Sequence, residues 1–322
     1  MSGEATRLAF GGSHSPLTGT VPLVRFMVRR DRIRLPVWIL SIVLFTLASV
    51  AALPDIYPSE AERQARSALM ENPGTRAISG PGYGLDDYTF GAMVSHELLS
   101  WIAIFAALMG IFTVVRNTRT EEETGRAELV QSSRVGRHAT TTAALVVAVA
   151  ASALLGALLA SGLASLGVEG IGWESSVLFG AAVASIGVVF AAVAAATVQV
   201  NEHSRGANGL AGAAFASAYL LRAGGDMTEV GGGIASWLSP IGWAQQTRVY
   251  VADRWWPLLL SLALSGILVG VAYSLSTRRD VGAGLFESRP GPAHAPGSLS
   301  SALGLAWRLQ RIGMLWWGLA LS

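Results

Sequence analysis

The sequence has 322 residues, of which 52% are hydrophobic and only 14% charged, with a formal net charge of +2 at pH 7. Its apolar residues stand in long uninterrupted blocks, which excludes an ordinary soluble domain. Cysteine and lysine are both absent, so disulfides, thiolate metal sites and the lysine of a phosphate-binding Walker A loop are excluded as well.

The amino-terminal segment, residues 1–34, is polar and basic and shows no cleavable secretory signal. Arg25, Arg29 and Arg32 recur at helical spacing beside Val24 and Phe26. This pattern predicts a helix that lies in the cytoplasmic headgroup layer of a membrane. The alternative is a positively charged flank that only sets the orientation of the first span.

Six apolar segments are long enough, or nearly so, to cross a bilayer core about 30 Å thick, which needs roughly 20 helical residues. Pro36 stands at the start of the first, where a missing N–H has no cost. The fifth segment is the shortest. The predicted spans are residues 35–53, 93–115, 140–167, 177–200, 207–221 and 256–276. The third and fourth are rich in small residues such as Gly156, Ala160, Gly180 and Gly187, which predicts close helix packing; a sliding surface is the alternative.

Two polar segments, 54–92 and 222–255, separate spans on the side opposite the amino terminus. Residues 59–71 have helical periodicity, and the second segment holds Trp237, Trp255 and Trp256, which is typical of an interfacial aromatic belt. Seventeen of the 23 arginines fall in segments that the predicted spans place on the same side of the membrane as the amino terminus. This bias places the amino terminus in the cytoplasm and argues against nucleic-acid binding as the reason for the basic charge.

Residues 116–139 hold the densest charge in the chain, between the second and third spans. Thr120 and Glu123 have capping-box spacing, and three glutamates in the first turn favour a helix amino terminus. The segment therefore predicts a short cytoplasmic helix that docks onto a partner and carries force to two spans. A solvated loop is the alternative, and a divalent-cation site is disfavoured by the neighbouring Arg119 and Arg126.

The remaining polar candidates are weaker. His96 and Glu97 adjoin at the outer mouth of the second span, as an interfacial pair or as the protonatable pair of a proton-coupled carrier. Arg222 and Asp226 have the spacing of a local ion pair, and residues 199–203 predict a polar helix end. Histidines at other positions show no metal-ligand spacing; they are His14, His138, His203 and His294. No catalytic, cofactor or metal site is predicted.

The carboxyl-terminal segment repeats the first span, because "RRDRIRLPVWIL" from Arg29 realigns with "RLQRIGMLWWGL" from Arg308. The expected organisation is an interfacial amino terminus (1–34), a six-span half-domain (35–280), and a cytoplasmic linker with the truncated start of a second repeat (281–322). The predicted fold class is an all-α, polytopic membrane helical bundle.

The stretch "VVRNTRTEEETGRAELVQSSRVGR" resembles the cytoplasmic loop of bacterial type-2 ABC-transporter permeases, most closely exporters of polyketide antibiotics. "SWLSPIGWAQQTRVYVADRWWPLLL" is similar to that family too. The resemblance implies the permease half of an ATP-driven exporter, which moves amphiphilic or lipophilic compounds and pairs with a cytoplasmic ABC ATPase and a second permease half or copy. Positions that match the family include Arg119, Glu122, Glu123, Gly125, Arg126, Glu128, Leu129 and Arg137. Together with Thr120, Glu121 and Arg134 of the predicted cytoplasmic helix, they are the residues predicted to couple to the ATPase. An ion-gradient carrier and a non-transporting membrane scaffold or sensor are the alternative functions.

Overall fold

The fold is known from a computed structural model, which describes residues 15–123, 135–278 and 301–321. The chain divides into one unit of residues 1–286 and a second of residues 287–322. Every regular element in the described ranges is helical, as the sequence predicts. In the first unit the helices are α1 (Thr20–Arg30), α2 (Arg34–Ala51), α3 (Leu53–Ile56), α4 (Glu60–Met70), α5 (Pro73–Ser79), α6 (Phe90–Met93), α7 (Leu99–Asn117), α8 (Arg119–Glu123), α9 (Ala139–Ser165), α10 (Trp173–Val200), α11 (Ser204–Thr228), α12 (Pro240–Gln245) and α13 (Pro257–Ser276).

Five helical stretches among the described residues are long and apolar enough to cross a membrane: Arg34–Ile56, Phe90–Glu123, Ala139–Ser165, Trp173–Val200 and Pro257–Ser276. They correspond to five of the six predicted spans. The sixth, predicted over residues 207–221, is the helix α11, which has 25 residues. Its length suffices for a span, but its apolar content does not place it with the other five.

The centre of the bundle is α10, which packs against α7, α9, α11 and α13. A Cβ atom added to Gly156 of α9 would lie 2.5 Å from the carbonyl oxygen of Gly180 in α10, and one on Gly180 would overlap the Gly156 oxygen. Gly110 of α7 meets the Gly187 carbonyl in the same way. The small residues therefore let helix backbones touch, which confirms the prediction of close packing.

The helix α1 is amphipathic and lies within the segment where the sequence predicts an interfacial helix; its place in the headgroup layer stays a prediction. Its Leu23 and Met27 are buried in a cluster with Ala139, Ala143 and Val147 of α9, while Arg25 and Arg29 are exposed. Residues 31–33 form a turn, and α2 begins at Arg34. Pro36 thus sits in the first turn of α2, where its missing N–H has no helical acceptor.

At the end of the bundle opposite α8, the predicted polar segments fold into short helices. The predicted helix over residues 59–71 is α4, which starts with a capping box in which the Glu62 N–H donates to Ser59 Oγ and the Ser59 N–H donates to Glu62 Oε2. The second polar segment was predicted to begin at residue 222, but α11 continues to Thr228, so residues 222–228 are helical. It contains a 3₁₀ turn (Ile234–Leu238) and α12, and Trp237 stacks on Trp256 with ring centroids 5.2 Å apart.

The second unit contains α14 (Ala302–Leu321) among its described residues. If the predicted repeat holds, the turn at residues 31–33 corresponds to residues 310–312, yet α14 runs through those residues without a break. The residue equivalent to Pro36 is Leu315, which has its N–H and so permits a continuous helix. The repeat itself stays a prediction.

Candidate coupling site

The short helix α8 follows directly on α7 at one end of the bundle. The chain turns at Thr118, whose hydroxyl donates to the Val114 oxygen at 2.7 Å. The Glu121 and Glu122 N–H groups donate to the Thr118 carbonyl oxygen at 3.1 and 3.2 Å. The predicted capping box at Thr120 and Glu123 is therefore wrong, because Thr120 is already the second residue of the helix.

The side chain of Arg119 faces the interior of the bundle, where it is 1% exposed. Its Nε donates to the Val198 oxygen in the last turn of α10 at 2.8 Å, and its Nη1 lies 2.6 Å from Glu122 Oε2. A buried guanidinium requires such partners because desolvation without them is costly. Arg119 thus anchors α8 to α10. The sequence interpretation assumed that Arg119 belongs to an exposed docking surface, and its burial shows that it does not.

A network of four polar side chains joins α8 to the end of α1. Glu121 forms an ion pair with Arg30, the last residue of α1. Arg30 Nη2 donates to Asn117 Oδ1 at 2.5 Å, and Asn117 Nδ2 donates to Asp31 Oδ2 at 2.9 Å. Because Asn117 ends α7, these contacts hold the ends of α1, α7 and α8 together.

A third contact joins α8 to α11. The Glu123 carboxylate accepts from the Ser204 N–H and the Ser204 Oγ, each at 2.6 Å. Ser204 is the first residue of α11. A carboxylate at this place satisfies a free helix N–H and complements the positive end of the helix dipole. Glu123 therefore acts as a cap for a distant helix.

The return from α8 to α9 is described from residue 135 onward. The Gly136 N–H donates to the Thr18 oxygen at 2.8 Å, and a Cβ at this position would overlap the Pro16 carbonyl, which explains the glycine. Arg137 Nη1 donates to the oxygen of Thr277, beyond the end of α13, at 3.3 Å. Five predicted coupling residues lie outside the described ranges: Gly125, Arg126, Glu128, Leu129 and Arg134.

The other polar candidates lie elsewhere, and two of them differ from prediction. His96 and Glu97 do not pair with each other. His96 is buried with Nε2 at 3.0 Å from the Gly80 oxygen, and Glu97 Oε2 is 2.8 Å from Arg66 Nη2. Both residues lie in a π-helical turn, Val94–Leu98, and the Tyr88 hydroxyl stands between them, 3.3 Å from His96 Nδ1 and 3.1 Å from Glu97 Oε1.

The predicted ion pair of Arg222 and Asp226 is confirmed at 3.2 Å, although both side chains are fully buried and neither reaches toward solvent. At the predicted polar end of α10, Asn201 Nδ2 donates to the Thr197 oxygen at 3.1 Å. Within residues 15–123, 135–278 and 301–321, no cluster of three histidine, aspartate or glutamate side chains has the arrangement of a metal site.

Comparison with known proteins decides the family. The family model described as "Multidrug efflux system permease Rv1217c, C-terminal domain" matches residues 22–275. The multidrug efflux system permease protein Rv1217c of Mycobacterium tuberculosis (strain ATCC 25618 / H37Rv) is 43% identical over 310 residues, which cover 95% of this chain and 55% of the relative. This chain belongs to that permease family. It spans about half the length of the curated relative that it matches.

The permease family match includes most of α1 and all of α8, and some of the residues that hold α8 in place were missed from the sequence. Arg30, Asp31, Asn117 and Ser204 were not singled out as contributors to the site. Two of them carried a signal: Asp31 is the one carboxylate within the basic run "RRDRIR", and Asn117 is the first amide after a long apolar segment. Their mutual contacts depend on the fold and could not be read from spacing.

Proposed function

We propose that this chain is a membrane-spanning permease subunit of an ATP-driven ABC exporter in the bacterial cytoplasmic membrane. A separate cytoplasmic ATPase subunit hydrolyses ATP, so this subunit itself catalyses no reaction. The cargo is amphiphilic or lipophilic, of the antibiotic or drug-like kind. Family membership and the printed description of the relative as a multidrug efflux permease support this proposal.

The observation that carries the coupling mechanism is the position of α8 between three other helices. Glu121 holds α1 through Arg30, Arg119 holds α10 through the Val198 oxygen, and Glu123 caps α11. A short helix held at three points moves its neighbours when it is displaced. We therefore assign α8 the role of receiving force from the ATPase and passing it to α1, α10 and α11.

In this proposal the carboxylates of α8 transmit force, and a different face of the cytoplasmic segment contacts the ATPase. Glu121 and Glu123 are engaged with residues of the same chain, so they are positioning residues. The partner surface then includes the exposed Arg137 and the predicted coupling residues that follow α8.

The α8 end of the bundle faces the cytoplasm in this proposal. Arginines concentrate on that side of the predicted spans, where Arg25, Arg29 and Arg32 are exposed. Positive residues near span ends are retained on the cytoplasmic side. The capped helix α4 and its neighbours then form an extracytoplasmic cover over the opposite end.

The second permease half, or a second copy of this chain, packs against α11. This helix is less apolar than the five candidate spans, yet it exposes small residues that include Gly209, Ala213 and Gly224. Such a surface suits contact with another helix better than contact with lipid. The transport path lies between the halves in this arrangement.

The proposal is tested by reconstituting the chain with its partner ATPase and second half in proteoliposomes, and by following ATP-dependent movement of a lipophilic dye. The variant Glu121→Gln/Glu123→Gln should insert normally but lose most ATP-driven transport. Glu60→Gln, an exposed glutamate on α4, is the matched control and should transport at the parental rate. Undiminished transport by the double variant would contradict the assignment of α8, and transport driven by a proton gradient without ATP would contradict the proposed energy source.

A further inference from the structure

An elongated groove lies on the surface of the first unit between α1, α2 and α9. Its volume is about 500 Å³, within the range of roughly 300–1,000 Å³ that is typical of small-molecule sites. Its wall is aliphatic, with Leu35 and Ile39 of α2 opposite Val147 and Leu154 of α9. The two polar residues in the wall, Asp31 and Arg32, lie at the α8 end.

The groove is open on one side and has the length of one membrane leaflet. Leu40 and Leu154 in its wall are each about half exposed. From Val146 to Leu158 the α9 wall rises roughly 18 Å at about 1.5 Å per residue. Half of a hydrocarbon core about 30 Å thick is about 15 Å. The groove therefore matches an acyl chain that stands along the bilayer normal.

The charged end of the groove has an excess of positive charge. Asp31 is 2% exposed and is already engaged, with Oδ1 at 3.1 Å from Arg116 Nε and Oδ2 accepting from Asn117. Arg25, Arg29 and Arg32 are exposed and form no ion pair or side-chain hydrogen bond with any residue that the structure describes. Arg32 lines the groove itself, and Arg25 and Arg29 follow the lining residues Val24 and Val28 on α1. Guanidinium matches phosphate geometry closely.

We propose that this groove binds one anionic phospholipid of the cytoplasmic leaflet. An acyl chain lies along α9 between α2 and α1, and the phosphate group contacts Arg32 with Arg25 and Arg29 close by. The site depends on the proposed orientation of the α8 end toward the cytoplasm, but it requires neither the ATPase nor a cargo. Basic surfaces beside apolar grooves between membrane helices are known to select anionic headgroups.

The test uses the full chain in phosphatidylcholine vesicles that contain a small fraction of photoactivatable phosphatidylglycerol, or the same fraction of photoactivatable phosphatidylcholine. Crosslinked peptides are mapped by mass spectrometry. The phosphatidylglycerol crosslinks should concentrate on residues 35–40 and 146–158 and exceed the phosphatidylcholine crosslinks several-fold. Equal labelling by both lipids, or labelling spread evenly around the bundle, would overturn the proposal.

Two sets of variants separate the headgroup from the acyl chain. Arg25→Gln/Arg29→Gln/Arg32→Gln should lower phosphatidylglycerol labelling by up to roughly fivefold per arginine, with phosphatidylcholine labelling unchanged. The exposed arginines Arg205 and Arg278 provide the control pair, and their replacement by glutamine should have no effect on labelling of the groove. Full labelling of the triple variant would contradict the headgroup assignment.

The substitution Leu154→Trp should fill the groove and reduce labelling by either lipid, whereas Leu262→Trp on the exposed face of α13 should not.

If the arginine variant does not insert, competition between lipids on the parental chain still tests whether the groove selects an anionic headgroup. Unlabelled phosphatidylglycerol should displace the crosslinks at residues 146–158, and an equal amount of phosphatidylcholine should not. Equal displacement by both would exclude selection of the anionic headgroup.

Discussion

The ion pair between Arg30 and Glu121 allows the link between α1 and α8 to be measured directly. Arg30→Gln and Glu121→Gln each remove the attraction and keep a polar side chain, which has the same length as the original for glutamate and is shorter for arginine. The double variant removes both charges at once. A thermodynamic cycle over these proteins isolates the energy that the two side chains share from the other contacts that each one makes.

The size of that energy follows from burial. The side chains of Arg30 and Glu121 are 15% and 17% exposed, so the pair is neither fully solvated nor fully desolvated. Exposed pairs contribute about 0–1 kcal/mol, and breaking a fully buried pair costs about 3–5 kcal/mol. We expect each single variant to be destabilised by about 2 kcal/mol, and the double variant by about 1.5 kcal/mol less than the sum of the two.

The assay is reversible unfolding of the purified chain in mixed micelles, with the denaturing detergent titrated at fixed ionic strength. A parallel cycle with Arg29→Gln in place of Arg30→Gln is the control, because Arg29 is exposed on the same helix and forms no ion pair with a described residue. Effects of Arg30→Gln and Glu121→Gln that add to within about 0.5 kcal/mol would refute the link between α1 and α8.

Three further predictions concern other parts of the molecule. Ser204→Ala removes one of the two hydrogen bonds to Glu123. Amide hydrogen exchange at the first turn of α11 should therefore accelerate about fivefold, as for loss of a helix cap worth about 1 kcal/mol. Unchanged exchange there would contradict the capping role, and exchange in α13 serves as the internal control. Gly180→Val places a side chain against the Gly156 carbonyl, so it should destabilise the chain by about 3 kcal/mol. Gly266→Val, in open space on α13, should stay within about 0.5 kcal/mol of the parent; detergent melting curves compare the two variants. Burial raises the pKa of Asp226 to about 6 against the opposing effects of Ser236 and Arg222. The folded state therefore binds more protons than the unfolded state between about pH 4 and 6, and the free energy of unfolding should fall as the pH rises through that window. Asp226→Asn should flatten this slope, and an unaltered slope would show that another group causes it.

The bundle itself was predictable because its spans carry a strong and local signal. A run of about 20 apolar residues forms few stable structures other than a membrane-spanning helix. Small residues at spacings of three and four, such as Gly180, Ala184 and Gly187, marked the helix faces that touch. The end of α11 was harder to predict, since Arg222 and Asp226 suggested a polar boundary where in fact they form a buried ion pair within the helix.

The coupling site was predicted in location but not in arrangement. Charge density identified α8, yet the helix starts one residue before Thr120, because Thr118 makes the turn. Glu123 was assigned to its own helix, although its partner Ser204 is 81 residues away in the chain. Sequence spacing reveals contacts within one helix turn, and contacts between helix ends appear only when the bundle is assembled.

The most direct test of the account is whether α8 lies against the ATPase. The chain contains no cysteine, so Thr120→Cys introduces a single thiol on α8, and Ser59→Cys introduces one at the opposite end. With a short bifunctional maleimide crosslinker and the co-expressed ATPase, Thr120→Cys should form a crosslinked heterodimer whose yield changes on ATP addition, and Ser59→Cys should form none. If Thr120→Cys never reaches the ATPase, or is labelled in intact cells by a membrane-impermeant maleimide, then α8 is not the cytoplasmic coupling helix.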